Sequence, residues 1–186
     1  MASPRILDLQ NIRLRIGSTE LLEGAELTLS PGEKVALVGR NGSGKSTLLK
    51  IAAGEIEADG GSRFLQPGVT IRYLPQEPDL SAFSTTLSYV EDGMGEGDDH
   101  YRATYLLNAL GLTGDEDPKR LSGGEARRAA LARVLAPEPD IILLDEPTNH
   151  LDLPTIEWLE GELAKSRSAL VVISHDRRFL EKVSTA

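Results

Sequence analysis

At 186 residues, 40% hydrophobic and 26% charged, the chain is long enough to bury a real core and has the make-up of an ordinary soluble globular domain. A net charge of −9 argues against binding nucleic acid or anionic lipid through the whole surface, and the absence of cysteine excludes a disulfide framework and a thiolate site. No apolar run approaches the roughly 18 residues needed to cross a bilayer, and the first residues lack the apolar stretch of a signal peptide, so the expectation is a cytoplasmic protein with no membrane insertion.

Residues 6–16 alternate toward their far end, with Ile12, Leu14 and Ile16 on one face and Asn11, Arg13 and Arg15 on the other, as in a half-buried strand. Gly17-Ser18-Thr19 predicts a turn, and Ala25, Leu27 and Leu29 alternate again before Pro31-Gly32. The opening therefore reads as a small antiparallel sheet. Lys34 to Val38 follows as a short β-branched strand, and Leu48, Leu49, Ile51 and Ala52 continue as a helix until Gly54. Between them stands Gly39-Arg40-Asn41-Gly42-Ser43-Gly44-Lys45-Ser46-Thr47, which fits G-x-x-x-x-G-K-[ST], the P-loop. Strand, glycine loop and helix in that order make a phosphate cradle. Glycines let backbone N–H groups turn inward, and the helix start adds partial positive charge. Lys45 is then placed to reach the β- and γ-phosphates, and the Ser46 hydroxyl to hold Mg²⁺.

Asp59-Gly60-Gly61-Ser62 and Gln66-Pro67-Gly68 read as turns around a strand at 69–74, followed by a stiff joint, Pro75-Gln76-Glu77-Pro78. The acid-rich stretch 79–99 reads as a solvated loop, with no metal role for His100 at its edge. A helix is expected over 101–112 and a second behind Ser122, whose apolar stripe is Ala130, Leu131, Val134 and Leu135, with Arg127, Arg128 and Arg133 beside it. Strand (141–144), helix (154–165), strand (169–173) and helix (177–183) then alternate, which implies βαβ units and a parallel sheet.

Ile141-Ile142-Leu143-Leu144-Asp145-Glu146 is a buried strand ending in two acids, and open α/β sheets bind ligands at that edge. Phosphoryl transfer to water needs a metal anchor, which suits Asp145, and a group that orients or deprotonates the water, which suits Glu146. Leu121-Ser122-Gly123-Gly124-Glu125 is a serine N-cap with two glycines, a capped helix start that leaves N–H groups open to an anion.

That pentapeptide also resembles the signature sequence of the ATP-binding-cassette (ABC) ATPases, and that family's other motifs are present in order. Gln76 is similar to the Q-loop glutamine, Asp145-Glu146 follow the Walker B pattern, Asp152 stands where the D-loop aspartate does, and His175 matches the switch histidine. Thr148-Asn149-His150-Leu151-Asp152 resembles the ABC-F branch, whose cassettes come as tandem pairs, and 140–145, 155–159 and 174–179 look most like its Uup-type members. The resemblance implies an α/β P-loop cassette with a parallel-sheet core (about residues 1–75 and 136–186), an antiparallel N-terminal β subdomain and a helical subdomain (about 76–135). Its cofactors are ATP and Mg²⁺, the metal ion answering to Ser46, Gln76 and Asp145. Glu146, His175 and Lys45 are the implied catalytic residues. The implied nucleotide contacts are Gly39, Asn41, Gly42, Ser43, Gly44, Lys45, Ser46, Thr47, Ser122, Gly123, Gly124 and Asp152, with Ile16 at the position where cassettes usually carry an adenine-stacking aromatic. The implied partner is a second cassette closing head-to-tail, with the ribosome reached through segments outside this chain. A transporter ATPase subunit and a DNA-repair-type assembly module are the alternatives. The family pattern also leads one to expect further strands after His175, so the chain reads as an N-terminal cassette lacking its last strands.

Overall fold

The structure, a computed structural model, describes residues 4–40 and 42–185. An antiparallel sheet of order β2-β1-β4 is built from β1 (Leu7–Ile16), β2 (Thr19–Leu29) and β4 (Gly60–Leu65). Ile16 pairs with Thr19, so the first hairpin turns on Gly17 and Ser18 alone. Strict alternation fails at register shifts in β1 and β2, where Asn11 takes a left-handed backbone (φ 52). Such bulges bend and twist a strand. Gly61 (φ +92) lies so close to this bulge that a Cβ would sit 2.3 Å from the Asn11 carbonyl oxygen. Asp59-Gly60-Gly61-Ser62 is therefore not merely a turn: its glycines open β4, because only glycine lets the strand approach the bulge.

The second sheet is wholly parallel, in the order β3-β7-β6-β5, from β3 (Lys34–Ala36), β5 (Ile71–Leu74), β6 (Ile141–Asp145) and β7 (Ala169–Ile173). Every residue of β6 and β7 is buried, as in strands covered on both faces. Their alternation sorts two cores. Ile141, Leu143, Ala169 and Val171 face the antiparallel sheet and α1 (Lys45–Ala53), which contributes Leu48, Leu49, Ile51 and Ala52. Ile142, Leu144, Leu170 and Val172 face α4 (Gly123–Leu135), α5 (Leu153–Lys165) and α6 (Arg177–Val183). β3 is shorter than the sequence suggested: it ends at Ala36, and Val38 is already 74% exposed as the chain enters the glycine loop.

The stretch 79–99 departs from expectation more clearly. It contains α2 (Thr86–Asp92), capped by a reciprocal Thr85–Ser88 box and burying Thr86, Tyr89 and Val90. Two of its acids are paired rather than only solvated: Glu91 with His100 at 3.0 Å and Asp92 with Arg133 at 3.1 Å. The Arg133 guanidinium also lies over the Tyr89 ring, 4.8 Å from its centroid. α3 (Tyr101–Ala109) stops short of Leu112 because Leu110 leaves the helical region and Gly111 turns left-handed. Among the described residues no helix is long and apolar enough to cross a membrane.

Candidate functional site

The parallel strands all end at one edge of the sheet, and the loops there converge. Gly44, the N-cap of α1, has φ 88, and no side chain caps the helix. A Cβ at Gly44 would meet Leu22 Cδ2 at 2.8 Å and the Leu21 carbonyl at 3.2 Å, so this turn closes against β2 only with glycine. The first-turn N–H groups of α1 are left to an anion instead of a cap. Lys45 folds back over the loop, its Nζ donating to the carbonyls of Gly39 and Arg40 (3.2 Å to Arg40). At Gly39 a Cβ would approach Ser43 Oγ at 3.1 Å.

A cleft of about 520 Å³ opens beside this loop. It gathers Gly42, Ser43, Gly44, Lys45, Ser46 and Thr47 with Gln76, Glu146 and His175, residues from four separate segments. Glu146 is held there by a left-handed backbone (φ 51), its N–H donating to the Ile173 carbonyl at 2.8 Å. Its carboxylate accepts the His175 backbone N–H at 3.4 Å and meets His175 Nε2 at 3.2 Å. The carboxylate is nearly buried and the imidazole exposed, so the pair presents a proton acceptor backed by a solvent-facing ring.

Alternation along β6 carries Asp145 to the α1 face of the sheet. It is fully buried, and neither carboxylate oxygen has a hydrogen-bond partner among the described residues. A buried carboxylate without partners is costly unless a cation completes it. Asp145 is itself not among the cleft's lining residues, though Glu146, the next residue, is; the oxygen donors that do line the cleft, Ser46, Gln76 and Glu146, are hard and fit Mg²⁺. Burial pushes the Tyr73 phenol pKa well up, and the negative charge of Asp145 pushes it further.

Other sequence-expected residues lie elsewhere. Ile16 ends β1 at 61% exposure and is not among the cleft's lining residues. Ser122 caps α4 in a box with Glu125: Glu125 N–H donates to Ser122 Oγ at 3.2 Å, and Ser122 N–H to Glu125 Oε1 at 3.1 Å. The hydrogen bonds to Ser122 hold the Glu125 carboxyl below its ordinary range. Gly123 and Gly124 follow, with Gly124 pressed on the loop after Glu146, where a Cβ would sit 2.8 Å from the carbonyl oxygen of left-handed His150 (φ 63). Asp152 caps α5 by accepting the Thr155 N–H at 3.1 Å. None of these four lines the cleft. Asn41 lies outside the described residues.

Four lining residues are not singled out from sequence: the apolar Leu21 and Ile173, and the polar Arg40 and Asn149. Arg40 occupies a free position of the P-loop pattern, and Asn149 belongs to a motif that was read for its subfamily, so composition gave neither a chemical signal.

A family model described as "ABC transporter" matches residues 22–149. The ATP-binding protein Uup of Caulobacter vibrioides is 50% identical over 99% of this chain and 30% of its own length. The ribosome protection protein VmlR of Bacillus subtilis is 40% identical (98% and 34%), and the energy-dependent translational throttle protein EttA of Mycobacterium tuberculosis 36% identical (96% and 39%). The chain thus spans about a third of the length of these relatives. Among solved structures, an ATP-binding subunit of an ABC transporter superposes with a TM-score of 0.87 at 22% identity, covering 96% of this chain and 83% of that one, a likeness of fold. A dimeric ATP-binding cassette in a post-hydrolysis state, bound to ADP and Pi, has a TM-score of 0.82 at 26% identity and covers 95% and 91%.

Proposed function

The chain belongs to the ABC transporter family of ATP-binding cassettes, and from that premise we propose that it binds and hydrolyses Mg-ATP as the N-terminal cassette of a Uup-like ABC-F protein acting on ribosomes. The observation that carries the catalytic part is the Glu146–His175 pair facing the P-loop across one cleft, with the buried Asp145 carboxylate, unpartnered among the described residues, directly before Glu146 in the chain.

In this reading the α1 amides and Lys45 hold the phosphates, Lys45 exchanging the loop carbonyls for phosphate oxygens. Bound Mg²⁺, anchored by Ser46, Gln76 and Asp145, supplies charge neutralisation on the phosphate oxygens. Glu146 orients the attacking water and accepts its proton, and His175 turns from Glu146 toward the transferring phosphoryl group. Ser122, Gly123 and Gly124 lie outside the cleft, so they serve a second cassette's γ-phosphate, with Asp152 near the same junction. An isolated chain is then a weak ATPase. Residues 76–135 act as the helical subdomain in this scheme, and Ile16 covers the base without stacking on it.

The ribosomal part is supported by relatives whose names place them in translation, EttA and VmlR. The test uses Glu146→Gln in the full-length protein. Turnover should fall by about 10²–10⁴-fold, the usual worth of a general base, with ATP binding kept. The variant should then sediment with ribosomes only when ATP is present. Undiminished turnover overturns the role of Glu146, and sedimentation indifferent to ATP overturns the ribosomal reading.

A further inference from the structure

Four ionisable side chains line the cleft: Arg40, Lys45, Glu146 and His175. Three of them have partners there. Lys45 Nζ donates to the carbonyls of Gly39 and Arg40, and Glu146 meets His175 Nε2 at 3.2 Å. The Arg40 guanidinium makes neither an ion pair nor a hydrogen bond among the described residues, and the residue is exposed. The P-loop pattern leaves this position open: it uses the loop amides, the lysine and the hydroxyl, and gives this side chain no task. The Arg40 backbone, by contrast, is committed, its carbonyl accepting the Ser43 N–H at 3.1 Å and Lys45 Nζ at 3.2 Å. Those bonds also say which part of a ligand Arg40 borders. A P-loop lysine serves the β- and γ-phosphates. Because Lys45 Nζ rests on the Gly39 and Arg40 carbonyls, the residues that open the loop border the space those phosphates take. Glu146 and His175, the groups of the water and the transferring phosphoryl, line the same cleft. A guanidinium is always charged, and its planar fork of donors matches two phosphate oxygens at once.

We propose that the Arg40 side chain binds the terminal phosphate of the nucleotide and sets the preference of this cleft for a triphosphate over a diphosphate. This rests on the Mg-ATP reading. A nucleoside diphosphate still finds the α1 amides and Lys45, so its hold on the loop does not need the guanidinium. Only a triphosphate extends to Arg40, which adds a cation where the extra negative charge lies. The contact is made within one chain, ahead of any second cassette, and it makes Arg40 a specificity-determining residue of the single cassette.

The test titrates fluorescent β,γ-imido ATP, which is not hydrolysed, and fluorescent ADP, each with Mg²⁺, into the chain and its Arg40→Gln and Arg40→Lys variants. Both substitutions leave the Arg40 carbonyl in place for Ser43 and Lys45. Arg40→Gln should weaken the imido triphosphate by about tenfold or more while ADP stays within about threefold, so that the triphosphate preference collapses. Arg40→Lys, which keeps the charge and loses the fork, should recover part of the preference. Unchanged affinities for both nucleotides in Arg40→Gln overturn the proposal, because the guanidinium is then only solvated. An equal loss for both overturns it as well, because Arg40 then serves the loop as a whole and not the terminal phosphate. If Arg40→Gln does not fold, as judged by circular dichroism, Arg40→Lys decides: a reduced preference supports the contact and an undiminished one overturns it. Binding of neither nucleotide by the parent chain overturns the Mg-ATP reading and the contact with it, whereas binding without the Arg40 effect overturns the contact alone.

Discussion

Helices α1 and α4 both start in glycine-rich turns, yet their first turns are closed in opposite ways. At α1 the N-cap is Gly44 in the left-handed region with no side chain capping the helix, and the turn faces a cleft furnished by its own chain. At α4 the N-cap is Ser122 in an extended conformation, its hydroxyl and the Glu125 carboxylate closing a capping box, and the turn lines no part of that cleft. The first is a backbone device held open by its neighbours Leu21 and Leu22. The second is a side-chain device that would form on almost any surface helix. Glycine-rich helix starts thus divide by what occupies the cap: an empty cap waits for an anion within the chain, and a filled cap is stable alone and offers only its spare N–H groups to something outside.

Gly44→Ala attacks the first device and should have the largest effect of the changes that probe this contrast. A left-handed alanine costs about 1–2 kcal/mol, before the 2.8 Å approach to Leu22 is relieved. Mg-ATP affinity, measured by titration with a fluorescent nucleotide, should fall more than tenfold. Unchanged affinity would show that the cradle does not depend on the glycine.

Ser122→Ala attacks the second. Loss of the cap should cost about 1 kcal/mol and lower Tm by about 2–4 °C, with ATP affinity of the single chain untouched. Calorimetry and the same titration separate the two effects, and an affinity loss matching that of Gly44→Ala would show that the two helix starts do not differ in this way.

The smallest effect concerns the loop that delivers the chain to α4. Burial raises the Glu116 pKa, but the N–H groups of Thr113 and Gly114 and the Thr86 hydroxyl outweigh it and bring the value down to about 2. A folded pKa below the unfolded one stabilises above the ordinary carboxylate pKa of 4.5, and that contribution is lost as pH falls from there toward about 2. Glu116→Gln should therefore lower stability at neutral pH and show a shallower loss between these values. Denaturant midpoints at several pH values measure it, and parallel acid limbs in both proteins would contradict it.

How much of this was legible depended on whether a residue's task is fixed by spacing or by distant contact. The P-loop, Gln76, Asp145-Glu146 and His175 were readable because phosphate chemistry demands given residue types at given places after given strands. The run of β6 and β7 was readable because strands covered on both faces are continuously apolar. α2 was not, because its three buried residues, Thr86, Tyr89 and Val90, stand in an acid-rich stretch, and the partners of its acids Glu91 and Asp92, His100 and Arg133, lie outside the helix. β4 was hidden by Gly60-Gly61, whose reason is the Asn11 bulge about fifty residues earlier. The burial of Arg127 was not legible, because a charged residue beside a helix stripe gives no hint that the Pro75 carbonyl, about fifty residues earlier, accepts its hydrogen bond.

Among the described residues, the strand that carries the P-loop hydrogen-bonds within its sheet only to β7: Lys34 with Leu170, Val35 with Val171, Ala36 with Val172. The phosphate cradle is thus anchored by a pairing between opposite ends of the chain, and such long-range pairing is slow because the intervening loop must be closed first. During synthesis the antiparallel sheet and α1 can form early, while β3 waits for β7 to be made. Nucleotide recognition should accordingly be the last property gained on refolding. In stopped-flow experiments, binding of a fluorescent nucleotide should lag behind the recovery of helical circular dichroism, and a ligand present from the start should act on the final step of assembly.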